Sequence, residues 1–175
     1  IYGDITKINP NQIPPHDIIC GGFPCQPFSQ AGKRQGFNDE KDRGNLFTYI
    51  CDIIEYHKPK YLFLENVANL KGHDGGNTWK VIYKRLHDEL GYEVKETILS
   101  PHQFESPQHR KRIYIVGARM DLGGLGDFRF PEPTSTNQSI HNIIDINDTD
   151  YIPLKKDTRH HIEIWSEFVR LAAEN

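Results

Sequence analysis

The chain has 175 residues, with 21 Lys plus Arg against 24 Asp plus Glu, a formal net charge of -3 at pH 7. That length supports one domain with a real core, and no run of about eighteen apolar residues or signal-peptide pattern points to membrane or secretion. The net charge lends no support to a nucleic-acid partner, since such domains are usually basic. Three cysteines without a Cys-x-x-Cys pair argue against a disulfide framework and for a reducing compartment.

Near the amino end, Asp17-Ile18-Ile19-Cys20 has the length and β-branched content of a buried strand, and Gly21-Gly22 ends it at a sharp turn. Cys20 is expected in the core on that pattern. Next comes Phe23-Pro24-Cys25-Gln26-Pro27-Phe28-Ser29, a cysteine between two prolines. Each proline fixes one φ and holds the preceding residue extended, so Cys25 is carried on a stiffened loop at the carboxyl end of a strand. In open α/β sheets that is where ligands bind. Taken alone, a free cysteine is more often a small core residue than a nucleophile.

Asn45 is placed to cap a helix with Phe47, Ile50, Ile53 and Ile54 on one face, stopped by Pro59. Cys51 falls on its apolar pattern. Tyr61 to Glu65 reads as the next strand. A second helix starts at Asn77 or Thr78, carries Trp79, Ile82, Tyr83, Leu86 and Leu90 at spacings of three and four, and closes at Gly91. Val94 to Leu99 and Arg112 to Ala118 read as two further strands. Strands separated by helical patterns predict an α/β fold with a doubly wound, mostly parallel sheet. Residues 121–158 are rich in Gly, Pro, Asp and Asn and read as irregular, and Ile162, Trp165, Phe168, Val169 and Ala172 predict a final amphipathic helix.

Three segments, in this order, carry a family resemblance: the Gly21-Gly22-Phe23-Pro24-Cys25-Gln26-Pro27-Phe28-Ser29 loop; Leu62-Phe63-Leu64-Glu65-Asn66-Val67; and Gln108-His109-Arg110-Lys111-Arg112-Ile113-Tyr114. They resemble the nucleophile loop, the Glu-Asn-Val strand and the Gln-x-Arg-x-Arg strand of cytosine-C5 DNA methyltransferases. Gly3-Asp4-Ile5-Thr6 and Arg43-Gly44-Asn45-Leu46-Phe47 resemble two weaker motifs of that family. The resemblance runs from residue 1 to about 130 and is similar to bacterial restriction-modification enzymes. An isolated Glu-Asn pair would read as a turn after a strand, and alternating arginines as an edge strand; order and spacing together separate them from those readings.

The resemblance implies a Rossmann-like, adenosylmethionine-dependent methyltransferase fold, present as a partial domain: residues 1–130 as the central catalytic part, and 131–175 as an irregular segment and helix leading toward an absent target-recognition region. It implies duplex DNA as partner, a bacterial cytoplasmic, nucleoid-associated setting, and S-adenosyl-L-methionine as cofactor, with Asp4, Ile5, Pro24 and Leu46 contacting it. Cys25 would add to C6 of a flipped cytosine, making C5 nucleophilic. Glu65 would bind or protonate N3, Arg112 would hold O2, and Arg110 and Gln108 would support the site. Phe23, Gln26, Ser29 and Asn66 would complete the substrate contacts, the Phe23 carbonyl accepting from the exocyclic amine. Base flipping follows, because a stacked base cannot present C6 to a thiol. A tRNA-modifying branch of the same family, and a non-catalytic nucleic-acid binding module, are the alternatives. Lys33-Arg34 and Arg110-Lys111-Arg112 are basic clusters beside the site. No glycine-rich cofactor loop precedes the cysteine loop. The strand feeding that loop is therefore expected to present an unpaired edge open to self-association.

Overall fold

The structure is a computed structural model that describes residues 3–24, 46–134, 139–145, 147 and 152–173. It divides into two compact units, Ile1–Gln138 and Ser139–Asn175. The first contains a four-stranded sheet: β1 (Ile18–Gly22), β2 (Tyr61–Val67), β3 (Tyr92–Leu99) and β4 (Arg112–Arg119), in spatial order β1-β2-β4-β3. Helix α1 (Leu46–His57) links β1 to β2, and α2 (Asn77–Lys84), extended by a π turn at Arg85–Glu89, links β2 to β3.

Both helices form where the apolar spacing put them. Phe47, Ile50, Cys51, Ile53 and Ile54 are the buried face of α1, and Thr78 and Ile82 that of α2, with Leu86 buried on the following turn. Lys58, at φ +48° and directly before Pro59, turns the chain out of α1. The helices cover one face of the sheet. Against them lie Leu62, Leu64, Ile113 and Ile115, each at most 1% exposed, and each such side chain contributes about 1.5–3 kcal/mol on burial.

The Rossmann-like α/β class holds, and the strand directions add a finding. β1 and β2 are parallel, as a helical crossover requires, whereas β4 runs antiparallel to both β2 and β3. The described sheet is thus mixed. The connection between β3 and β4 matches this: residues 100–111 carry only a three-residue 3-10 turn, Pro101–Gln103, and no α-helix, whereas a parallel return usually runs through one.

The opposite sheet face is open. Alternation along β2 exposes Tyr61, Phe63 and Val67 there, and on β1 it exposes Ile18 and Cys20. Cys20 is therefore not a core residue. The run Ile18-Ile19-Cys20 looks buried on both faces, but β1 pairs only with β2 among the described residues and turns alternate side chains outward. Cys51 is buried as expected. Part of the open face is lined by Phe128 and Phe130, which with Phe63, Leu99, Phe104 and Tyr114 enclose an apolar pocket of about 390 Å³. The second unit contains α3 (Lys156–Ala173), whose Ile162, Trp165, Phe168 and Val169 form an exposed apolar stripe. Among the described residues no helix is long and apolar enough to cross a membrane.

Candidate active site

Strand direction gathers the candidate residues. β1 and β2 are parallel and end together, at Gly22 opposite Glu65; β4 is antiparallel and begins there, with Arg112 opposite Val67. One end of the sheet thus holds Phe23 and Pro24, the Glu65-Asn66 pair and Arg112, although the last two lie far apart in sequence.

Glu65 and Arg112 face the open side and meet in an ion pair, Arg112 Nε to Glu65 Oε1 at 2.8 Å, with side chains 35% and 19% exposed. A second nitrogen of the same guanidinium donates to the Lys111 carbonyl at 2.9 Å, which restricts the side chain's swing. Gly22 leaves space for the carboxylate, since a Cβ there would stand 3.0 Å from Glu65 Oε2. The result is a partly exposed carboxylate held by one arginine at the rim of the sheet.

Asn66 points the other way. It is 1% exposed, and its Nδ2 donates to the Phe23 carbonyl at 2.8 Å while its Oδ1 accepts from Val67 N at 2.7 Å. Phe23 N donates to the Glu65 carbonyl at 3.4 Å, and the Phe23 ring, 5% exposed, packs against Phe47 with centroids 5.1 Å apart. Phe23 is therefore fixed by backbone, side chain and a buried amide. Pro24 follows it at the surface. Cys25, Gln26 and Ser29 lie outside the described residues, as does the Lys33-Arg34 cluster.

Asp4 caps a short turn at Ile5–Lys7: its Oδ1 accepts from Thr6 N at 3.0 Å and Thr6 Oγ1 at 2.9 Å. Those hydrogen bonds hold its carboxyl below the usual carboxylate range. Ile5 and Leu46 both pack on the core cluster that contains Phe23 and Phe47. An apolar floor with an ionised acceptor beside it suits an adenosine group, so Asp4, Ile5 and Leu46 fit the cofactor-contacting set.

Gln108 and Arg110 are exposed on the loop between β3 and β4, and their backbone bonds close that loop: Gln108 O accepts from His102 N at 3.1 Å, and Arg110 N donates to Ser100 Oγ at 3.0 Å. Ser100, 2% exposed, organises this loop and was not singled out by the sequence. The available signal was Ser100-Pro101-His102-Gln103, a Ser-x-x-Gln capping box with Pro at its first position, which the structure forms in full.

A family model described as C-5 cytosine-specific DNA methylase matches residues 1–174. The chain belongs to that family. Curated type II methyltransferases are among its relatives: M1.ScrFI of Lactococcus lactis subsp. cremoris is 49% identical over 145 residues, covering 82% of this chain and 36% of the relative. M.NlaX of Neisseria lactamica is 42% identical over 175 residues, covering the whole chain and 52% of the relative. The chain thus spans about a third to a half of the curated relatives it matches. Among solved structures, a Spodoptera frugiperda DNMT2 variant superposes with TM-score 0.55 at 26% identity, covering 84% of this chain and 45% of that one. The Entamoeba histolytica methyltransferase EhMeth superposes with TM-score 0.57 over 89% of this chain and 48% of its own, and at 24% identity it speaks for the fold alone.

Proposed function

We propose that this chain supplies the catalytic centre of an enzyme that methylates C5 of a cytosine flipped out of duplex DNA. The observation that carries this is the Glu65–Arg112 ion pair beside the Asn66-anchored stem of the Cys25 loop. Cys25 would act as a thiolate that adds to C6 of the ring. Its electron pair passes into the C5 and N3 side of the ring, so a proton or donor is needed at N3. Glu65 stands at the sheet end to provide it, and Arg112 is placed to contact O2 while keeping Glu65 in position. After C5 has taken the methyl group, water or another base takes the C5 proton, the Cys25–C6 bond breaks to regenerate the thiolate, and the N3 proton returns to Glu65, restoring the aromatic ring.

Asn66 has a positioning role: it fixes Phe23, and Phe23 fixes where the chain leaves for Cys25. The Phe23 carbonyl has a second lone pair for the exocyclic amine. S-adenosyl-L-methionine would supply the electrophilic methyl group when bound; Asp4 would accept from its adenine amine, and Ile5, Leu46 and Pro24 would form the apolar surround.

The 175 residues alone are expected to be inactive, so the test is covalent trapping of the intact parent protein that carries them, on duplex DNA containing 5-fluorocytosine with adenosylmethionine present, beside Cys25→Ser. A cofactor-dependent adduct lost in Cys25→Ser is expected. An adduct on 5-fluorocytosine tRNA and none on DNA would overturn the substrate, and no adduct on either from a folded, cofactor-binding protein would overturn the chemistry.

A further inference from the structure

The loop between β3 and β4 carries two histidines that the reaction does not use. His102 and His109 stack with ring centroids 4.2 Å apart at 21°. His102 Nδ1 lies 2.8 Å from Ser100 Oγ, the same buried hydroxyl that accepts the Arg110 N–H. The hydroxyl, with one proton and two lone pairs, can serve either tautomer of His102 at Nδ1 while still accepting the Arg110 N–H. The bond from His102 N to the Gln108 carbonyl and a Ser100 N donation to Gln103 Oε1 at 2.8 Å close the loop on itself, so the stack is held by its backbone.

Gln108, His109, Arg110 and Lys111 are consecutive and exposed, and they lead directly into Arg112. In a chain of net charge -3 this is a concentrated basic ridge, set at the same sheet end as the candidate site. The ionisable groups on the elements around the stack are Glu105, Arg110 and Lys111 of its own loop, Arg112 of β4 with Glu65 of β2 already paired to it, and Glu132 of the segment that meets the loop where Thr134 N donates to Gln103 O. Arg110, Lys111 and Arg112 balance Glu65, Glu105 and Glu132 there, so a proton on either imidazole gives the ridge its excess of positive charge.

We propose that His102 and His109, with Arg110 and Lys111, form a phosphate-binding ridge for the DNA backbone whose affinity rises as pH falls. This rests on the reading of the neighbouring site as a DNA-cytosine methyltransferase centre. A phosphodiester is anionic throughout the range in which histidine changes charge, between about pH 5 and 8, so protonation adds attraction and never removes it. Two stacked imidazolium rings repel each other. A bound phosphate between or beside them offsets that repulsion, so binding and protonation reinforce one another.

The test uses fluorescence anisotropy of the intact parent protein on an all-A·T duplex, which offers no cytosine to Glu65, at about pH 6 and pH 8 and over a range of salt. Wild type is expected to bind about tenfold tighter at the lower pH, as added positive charge at a phosphate contact requires. The double variant His102→Gln/His109→Gln is expected to match wild type at pH 8 and to show no gain at pH 6; His109→Gln, which alters only an exposed ring, keeps the test valid if the double variant unfolds. Lys111→Gln is expected to lower the slope of log affinity against log salt by about one. An unchanged pH dependence in a folded His109→Gln and double variant, with 5-fluorocytosine trapping intact, would overturn the ridge and leave the active-site reading standing. Loss of trapping in wild type would instead overturn the active site, whatever the binding curves show.

Discussion

Asn66 Nδ2 donates to the Phe23 carbonyl at 2.8 Å from a side chain that is 1% exposed, tying the end of β2 to the residue two before Cys25. Removing the amide in Asn66→Ala strands two backbone groups, the Phe23 carbonyl and Val67 N. The expected cost is about 1–3 kcal/mol, read by denaturant unfolding. If Asn66 sets the approach of Cys25, the 5-fluorocytosine trapping rate falls further than substrate affinity does. Equal loss of both, or of neither, would make Asn66 a packing residue only.

The Glu65–Arg112 pair sets a proton requirement. A carboxylate accepting from Arg112 presents lone pairs toward the base, and N3 of cytosine presents another, so base entry needs a proton on one of them. Formation of the trapped complex is expected to take up a proton, seen by calorimetry as an enthalpy that depends on the buffer's ionisation enthalpy. Glu65→Gln, which cannot deliver a proton, is expected to slow single-turnover methyl transfer by about 10²–10⁴ while still binding DNA. Buffer-independent enthalpy in wild type would remove Glu65 from the proton-donor role.

Much of this geometry was legible in the residues, and the rest was not for definite reasons. The apolar spacing of Phe47, Ile50 and Ile54 is local, so α1 could be read directly, whereas Gly21 and Gly22, read as a turn, continue β1 in register with Leu64 and Glu65. The Glu65–Arg112 contact is not local: it depends on the pairing of Val67 with Arg112, which follows from β4 running antiparallel. That reversal had a sequence signal, since residues 100–111 show no helical period, but the alternating pattern before them favoured a parallel continuation. Cys20 was misread because a short apolar run does not say whether a strand is covered on one face or two.

Gly124 closes the turn after β4 at φ +64°, and a Cβ there would overlap Glu93 Oε2, the acceptor for Leu125 N at 2.8 Å. Gly124→Ala combines a left-handed backbone cost with loss of that bond, and about 1–3 kcal/mol of destabilisation is expected. Gly126→Ala, also at positive φ but with nothing within 4 Å of its Cβ, serves as the comparison and should cost less in the same unfolding experiment.

Burial pushes the Cys51 thiol up to about 12, with nearby Arg85 opposing the shift, and burial likewise raises the Tyr92 phenol to about 12, against Arg119. Both groups bind their protons more tightly folded than unfolded. The stability this represents is full below the unfolded values, 9.0 for the thiol and 10.0 for the phenol, and is lost as pH climbs toward about 12. Stability should therefore fall from about pH 9 upward, less steeply in Cys51→Ala after correction for its lost packing. At neutral pH an alkylating reagent is expected to modify exposed Cys20 and spare Cys51, as peptide mass spectrometry would report.

β1 pairs with β2 alone among the described residues, which leaves one edge of a strand carrying Ile18 at 53% exposure. Unpaired strand donors and acceptors next to apolar side chains are a template for pairing with another chain, and a lysine on such a strand is the usual deterrent. The 175-residue polypeptide by itself is therefore expected to self-associate and to bind adenosylmethionine poorly. Ile18→Lys should shift sedimentation velocity profiles toward monomer without changing helix content, because the side chain faces the open side and contributes little to the core. Monomeric sedimentation of the unmodified polypeptide, together with tight adenosylmethionine binding, would show that the β1 edge is not a pairing surface.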